Sequence, residues 1–186
     1  MADSELLSAV RNMLHILCTK EPLKLITPGR RWGEKLPSLP APTVWWPNSH
    51  RQTELVYLHR GACAMVLDDC AYKVDEGTIC IIPGGCYHYE TPLQANVSYQ
   101  AVWFIKPAQN LCWHISKYDG KVTNNVENPL LLVVGNRLYL NMEDMLNTIL
   151  NEAKSNISYN EEMVRGYLIL FASRVCRQAE RIKAPP

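Results

Sequence analysis

The sequence predicts a mainly β fold with helices at both ends, in which an antiparallel barrel or sandwich lies between one N-terminal and two C-terminal helices. Three observations predict it. Short apolar runs separated by turn residues fill the chain from His50 to about His114, a pattern typical of antiparallel barrels and sandwiches. Amphipathic helical patterns stand on both sides of this region. Six of the twelve prolines lie between Glu21 and Asn48.

The elements follow in order along the chain. Residues 1–20 predict a helix, because their apolar residues fall on one stripe at helical spacing. Residues 21–47 predict a mostly irregular covering segment with a short strand at 43–46, since proline has no N–H to give to a strand ladder. The barrel is assigned to residues 48–136. Its predicted strands are 55–58, 62–67, 71–74, 78–82, 97–105, 111–116 and 129–134.

Two further helices are predicted within residues 137–183. The second begins near Asn160, and its apolar surface, unbroken from Leu168 to Phe171, is wider than one stripe. A helix of this kind needs partners on two sides, so the segment is predicted to form a homodimer. Residues 184–186, Ala-Pro-Pro, are predicted to belong to a linker.

Charge and cysteine content exclude several classes of protein. The formal net charge is +1, so this chain has no overall basic character for binding nucleic acid by itself. No apolar run approaches the length that crosses a bilayer, and no basic stretch precedes the first apolar segment as in a secretory signal. The seven cysteines are odd in number and lack a Cys-x-x-Cys pair. The cysteines indicate a reduced, cytoplasmic protein, and the lack of a membrane-crossing run predicts that no membrane is a partner.

A first group of polar residues stands where the barrel region begins. Asn48, His50 and Glu54 are separated by even numbers of positions, so in an extended chain their side chains point the same way. This places potential ligands at one mouth of the barrel. Leu55 and Tyr57 face the opposite way and must be covered, for which the C-terminal helices are the predicted cover.

A second group follows one apolar strand later. Pro83, Gly84 and Gly85 predict a tight turn, because glycine adopts positive φ without a steric clash. The turn returns the chain and brings His88 toward the first group.

The two spacings together resemble the paired motifs of the cupin superfamily, Gly-x5-His-x-His-x3,4-Glu-x6-Gly and Gly-x5-Pro-x-Gly-x2-His-x3-Asn. The resemblance implies a jelly-roll-type barrel and a divalent transition metal held by His50, Glu54 and His88. Asn48 replaces the first metal-binding histidine, and Pro92 replaces the final asparagine. Asn48 or water would therefore complete the metal shell. Because one inner-shell histidine is missing, the expectation is that these residues bond to one another and to neighbouring backbone without any cofactor, and a divalent transition metal is the alternative.

The segments 50–58 and 77–88, together with the order of a barrel followed by two helices, resemble the N-terminal effector domain of AraC-type transcription regulators over roughly residues 43–180. The resemblance implies a small effector, often a sugar, bound inside the barrel, and dimerisation through the helices after it. Such regulators contact DNA through a domain with two helix-turn-helix motifs, which this chain does not contain. The covering segment at 21–47 is the expected mobile element that a bound effector would reposition.

Seven aromatic residues are candidates for contacting an effector, because indole and phenol rings stack on flat or apolar ligands. A core-filling role is the alternative for most of them. The seven residues are Trp45, Trp46, Tyr57, Tyr87, Tyr89, Trp103 and Trp113. Three histidines without nearby ligand-spaced partners, His15, His59 and His114, are interpreted as surface or packed residues. The predicted ligand-binding residues are His50, Glu54, His88, Trp103, Trp113 and Tyr57.

The predicted function is small-molecule sensing and dimerisation in an AraC-type regulator, and no enzymatic activity is expected. The alternative is a metal-dependent cupin enzyme, a dioxygenase or a sugar isomerase, that uses the two histidines and the glutamate.

Overall fold

A computed structural model describes most of the chain, which forms three helices and nine strands within the described residues. The described residues are 2–19, 21–29, 34–40, 48–106, 110–121, 130–135, 137–140, 142 and 144–183. In chain order the elements are α1 (Ala2–Leu17), β1 (Leu25–Ile26), β2 (Glu34–Lys35), β3 (Glu54–Leu67), β4 (Cys70–Asp75), β5 (Ile79–Ile82), β6 (His88–Pro92), β7 (Tyr99–Ile105), β8 (Cys112–Tyr118), β9 (Leu130–Val134), α2 (Met145–Lys154) and α3 (Asn160–Lys183).

The long strand β3 belongs to two layers of the sheet. Its first half pairs with β5 and β7, and its second half pairs with β4 and β6, all antiparallel. The first layer has the order β1-β5-β3-β7-β8-β9, with β1 parallel to β5. The register with β7 shifts between Leu58 and Arg60, and Gly61 follows at a φ of 74°. This bulge lets β3 leave one layer and enter the other.

Three layers result, because the side chains of β3 alternate between two cores. Leu55 and Tyr57 pack in a core shared with all three helices, whereas Val56 and Leu58 pack between the two sheet layers. The expectation that helices cover Leu55 and Tyr57 is confirmed, and α1 contributes to this cover together with the C-terminal helices. No helix among the described residues is long and apolar enough to cross a membrane.

The fold class is mixed α/β rather than mainly β, since the described helices and strands have similar total lengths. The sheet is open among the described residues, with β1 and β9 at the two ends of the first layer. The predicted strands 55–58 and 62–67 form one strand, β3. The strand β6, starting at His88, had no counterpart among the predicted strands. The strand predicted at 43–46, with Trp45 and Trp46, and the linker at 184–186 lie outside the described residues.

Candidate functional site

Two histidines and a glutamate meet where β3 and β6 begin. His50 Nε2 lies 3.1 Å from one carboxylate oxygen of Glu54, and His88 Nε2 lies 3.1 Å from the other. The two imidazole rings are 5.1 Å apart, edge to face. One potential ligand atom from each residue lies within 4.8 Å of the other two. The structure therefore brings together the three residues for which the sequence predicts a metal site.

Backbone contacts of the glycine turn hold this arrangement. The Gly85 N–H donates a hydrogen bond to the His50 carbonyl oxygen at 2.7 Å. A Cβ added at Gly84 would stand 2.2 Å from the Arg51 carbonyl oxygen, so only glycine fits this close approach. Asn48 and His88 exchange two backbone hydrogen bonds, at 2.9 and 3.0 Å. Backbone hydrogen bonds thus join the two motifs independently of the side-chain contacts between them.

The polar atoms of this group are left with few hydrogen bonds despite their burial. His88 Nδ1 lies 2.9 Å from the Cys86 carbonyl oxygen, which assigns a proton to Nδ1 and directs Nε2 toward Glu54. Both ring nitrogens of His50 and Oε2 of Glu54 are buried without a directed hydrogen bond. Burial opposes the charged form of His88, but Glu54, the Cys86 carbonyl and Glu90 outweigh it and raise its pKa.

These atoms fit a divalent transition metal. Donor atoms bound to one such metal at about 2.0–2.2 Å lie about 3.0–3.5 Å apart, which matches the 3.1 Å contacts of Glu54 with both imidazoles. Unsatisfied nitrogen and oxygen lone pairs around one point are also what a cation requires. Asn48 fits less well as a fourth ligand, because it is exposed and its side-chain oxygen already accepts a hydrogen bond from the Ser49 N–H at 2.8 Å.

A cavity of about 470 Å³ opens beside the metal-site residues. It lies between the two sheet layers, and its wall combines carboxylates, imidazoles and one guanidinium with apolar groups. The lining residues are Asn48, Glu54, His88, Tyr89, Glu90, Trp103, Ile105, Cys112, Trp113, His114, Val134, Gly135 and Arg137. A volume of this size suits a small organic ligand.

Trp103 stands in the middle of a stack of rings along the cavity wall. His114 covers one face of the indole at 5.5 Å, nearly parallel, and His88 stacks at 5.9 Å. The indole N–H donates to Ser116 Oγ at 3.1 Å. Both imidazoles therefore pack against the indole ring that the sequence predicts as a ligand contact.

Glu90 places a second carboxyl group in the cavity. Its side chain is 5% exposed, and burial raises its pKa to about 7. Ser116 forms a hydrogen bond with this carboxyl, so the indole of Trp103, the serine and Glu90 are linked in a row. Burial lowers the pKa of His114 on the same wall, with Glu54 opposing the shift.

The remaining predicted ligand-binding residues lie in different places. Trp113 pairs with Phe104 in the helix-facing core, and its ring reaches the cavity edge against Gly135. Tyr57 packs among the helices, and its hydroxyl accepts a hydrogen bond from the Asn12 side chain at 3.0 Å. The cavity wall therefore contains Trp103 and Trp113 but not Tyr57.

Three polar residues of the cavity escaped the sequence-based prediction. Glu90 follows His88 by two positions and therefore shares its face of β6, a relation that strand periodicity reveals. His114 lies directly opposite Trp103 in the β7–β8 ladder, so placing one inward places the other inward as well. Arg137 comes after the last strand, where the sequence contains no comparable pattern.

Comparison of the chain with models of known protein families found no match, and comparison with curated proteins found none either.

Proposed function

We propose that this chain is a small-molecule sensing and dimerisation domain of an AraC-type transcription regulator. The observation that carries the proposal is the cavity between the two sheet layers, which combines apolar walls with a few placed polar groups. Ligand sites in proteins have this composition. Glu54 and His88 would engage the ligand directly or through a metal, and Glu90 supplies a further hydrogen-bonding group.

A cupin barrel of the jelly-roll type is part of the proposal. Its support is the hollow between two layers that share β3, with His50, Glu54 and His88 together at one end of that hollow. The segment 21–47 would act as the cover that responds to the ligand. Pro40, within it, accepts a hydrogen bond from the Tyr89 hydroxyl at 2.7 Å, next to His88.

The proposal includes a homodimer, a cytoplasmic location and DNA contact through a separate domain. Support for the dimer comes from α3, whose buried side packs in the helix-facing core while Met163 and Leu170 are exposed by 45% and 42% on the other side. Support for the cytoplasm comes from the cysteines, all seven of which are free.

A screen of sugars and other small metabolites by thermal shift tests the sensor. We expect a true ligand to raise the melting temperature of the wild type, and Val134→Trp to abolish the shift. Val134 lines the cavity and is 69% exposed, so a larger side chain there fills the mouth without disturbing the core.

The matched control is Ile157→Trp, an exposed apolar position outside the cavity. It should respond to the ligand as the wild type does. A ligand that stabilises Val134→Trp and the wild type equally would bind elsewhere and would refute the proposed site.

A metal-dependent cupin enzyme is the second candidate, and the fit of His50, Glu54 and His88 to a cation favours it. These side chains would hold the metal, which would supply Lewis-acid or redox chemistry when bound.

Elemental analysis of protein purified without chelators tests the metal site. We expect about one iron, manganese or nickel ion per chain, lost in His88→Ala and kept in His15→Ala, whose histidine is exposed on α1. Equal metal content in the two variants would show that the ion binds elsewhere, and a wild type that takes up no metal on reconstitution would rule this candidate out.

A further inference from the structure

A second groove, of about 280 Å³, lies against the C-terminal half of α3. None of its lining residues lines the cavity between the sheet layers. The chain before α2 supplies one wall and α3 the other. The lining residues are Tyr139, Leu140, Met142, Arg174, Arg177, Gln178 and Arg181.

The groove is strongly basic. Arg177 and Arg181 are exposed one helical turn apart, where like charges repel, and neither forms an ion pair with a described residue. Arg174 adds a third guanidinium to the wall, and no described carboxylate lines the groove. The neighbouring acid on α3, Glu180, is engaged by Arg11 of α1 at 2.7 Å. A dianion between Arg177 and Arg181 would remove the repulsion.

An exposed ring and an apolar floor accompany the charges. Tyr139 is 72% exposed although it is a large aromatic residue, whereas Leu140 and Met142, which line the same groove, are each 8% exposed. An exposed amphipathic ring beside apolar lining is suited to stacking on a flat organic group. The groove thus offers two kinds of contact, one for negative charge and one for a planar ring.

We propose that this groove binds a nucleoside phosphate, that is, a phosphate monoester attached to a flat heterocycle. Guanidinium groups bind phosphate oxygens in a paired, planar geometry, and a phosphate monoester carries nearly the two negative charges that Arg177 and Arg181 neutralise. Tyr139 stacks on the base, and the Gln178 amide donates to the sugar or the phosphate. The site shares no lining residue with the sensing cavity, and it adjoins the part of α3 that is proposed above for the dimer.

A nucleic-acid backbone is a poorer occupant of the same groove. The basic face of α3 ends at Arg174, and toward the helix N-terminus the same face continues with the apolar Leu170 and Met163. Duplex binding draws on charges spread over a longer surface, and the net charge of the chain is only +1.

Isothermal titration calorimetry of the full chain with adenosine monophosphate, inorganic phosphate and adenosine tests the proposal. We expect the monophosphate to bind more tightly than inorganic phosphate, and adenosine alone to bind at least tenfold more weakly than the monophosphate. Arg177→Ala with Arg181→Ala should weaken binding of the monophosphate at least tenfold, since two charge-assisted hydrogen-bonding groups are lost. Tyr139→Leu should reduce the affinity for the monophosphate to that for inorganic phosphate.

The matched control is Arg60→Ala with Lys121→Ala, which removes the same charge from exposed positions outside the groove. Circular dichroism checks that both double variants are folded. Arg177→Lys keeps the positive charge but removes the planar guanidinium, so its affinity for the monophosphate separates paired hydrogen bonding from charge alone. Equal binding by the two double variants would overturn the proposal. So would binding of a short DNA duplex at this groove without binding of the monophosphate.

Discussion

At the scale of single residues, the buried carboxylate of Glu54 carries a desolvation cost that its neighbours must offset. It is 5% exposed, and Oε2 has no directed hydrogen bond. A buried carboxylate is stable only with a charged or hydrogen-bonding partner. The imidazoles of His50 and His88 are within reach of this carboxylate. Either a proton on His88 or a cation shared by the three side chains would supply the positive partner that the carboxylate needs. Because a protonated histidine and a metal ion both meet this need, the same three side chains suit both the proposed sensor and the alternative enzyme.

Glu90 allows a prediction about pH. Its pKa is raised to about 7 by burial, so between pH 4.5 and 7 the folded state holds a proton that the unfolded state releases. Stability from this group is therefore present at low pH and falls as pH rises through that window. The shift from 4.5 corresponds to at most about 3 kcal/mol.

We expect Glu90→Gln to match the wild type near pH 4.5 and to be more stable by about 1–3 kcal/mol at pH 8. Urea denaturation at several pH values measures the difference. The exposed Glu76→Gln variant should show no such trend. A difference between Glu90→Gln and the wild type that does not change with pH would contradict the assignment.

At the scale of elements, β3 determines where the site lies. One strand enters both layers, and the bulge between Leu58 and Arg60 bends it at Gly61. A Cβ on that glycine would stand 2.0 Å from the Ser98 carbonyl oxygen at a φ that other residues rarely adopt. The bend is therefore specific to glycine.

Gly61→Ala should lower the free energy of unfolding by about 2–4 kcal/mol, because both the backbone conformation and the close approach are lost. Urea denaturation at one protein concentration measures it. Gly166→Ala is the control. Gly166 lies within α3 with no atom within 4 Å of an added Cβ, so alanine there should stabilise by about 0.5–1 kcal/mol. Similar effects at the two positions would disprove the role of the bend.

The elements also show which parts of the site follow from sequence. Even spacing and the glycine turn singled out His50, Glu54 and His88, but β3 begins only at Glu54 and the chain bends at residues 51–52. The backbone contact of His50 with the glycine turn, rather than strand alternation, therefore holds His50 beside the other two. The inward position of Trp103 depends on its register with Val56 and His114, which pairing between distant strands decides. Tyr57 was named as a ligand-binding residue for its aromatic ring, although alternation had already placed it on the face that the helices cover. His114 was not named, because its inward position follows only from its pairing with Trp103.

At the scale of the whole molecule, the helical layer covers one face of the sheet and leaves part of α3 exposed. Phe171 and Leu168 are fully buried in the helix-facing core, so the apolar side of α3 is largely used within one chain. What remains for a partner is the apolar half of its outer face, around Met163 and Leu170. The sequence shows that the apolar surface of α3 is wide. Which part of it packs within the chain and which part is left for a partner depends on α1, which packs on α3.

Light scattering at tens of micromolar chain tests the dimer. We expect the wild type to be dimeric and Met163→Glu with Leu170→Glu to be monomeric, because paired charges cannot be buried at a symmetric contact. Leu39→Glu, which changes an exposed apolar residue away from α3, should remain dimeric. A monomeric wild type would remove this part of the proposed function.

The sharing of β3 has a consequence for how the protein opens. Its amides are bonded to four strands, so neither layer can detach without breaking part of the same ladder. Amide hydrogens of β3 should then exchange with solvent only through global unfolding, and at nearly the same rate in both halves of the strand. A ligand bound at one end of β3 would therefore slow amide hydrogen exchange along the whole strand, in the second layer as much as in the first.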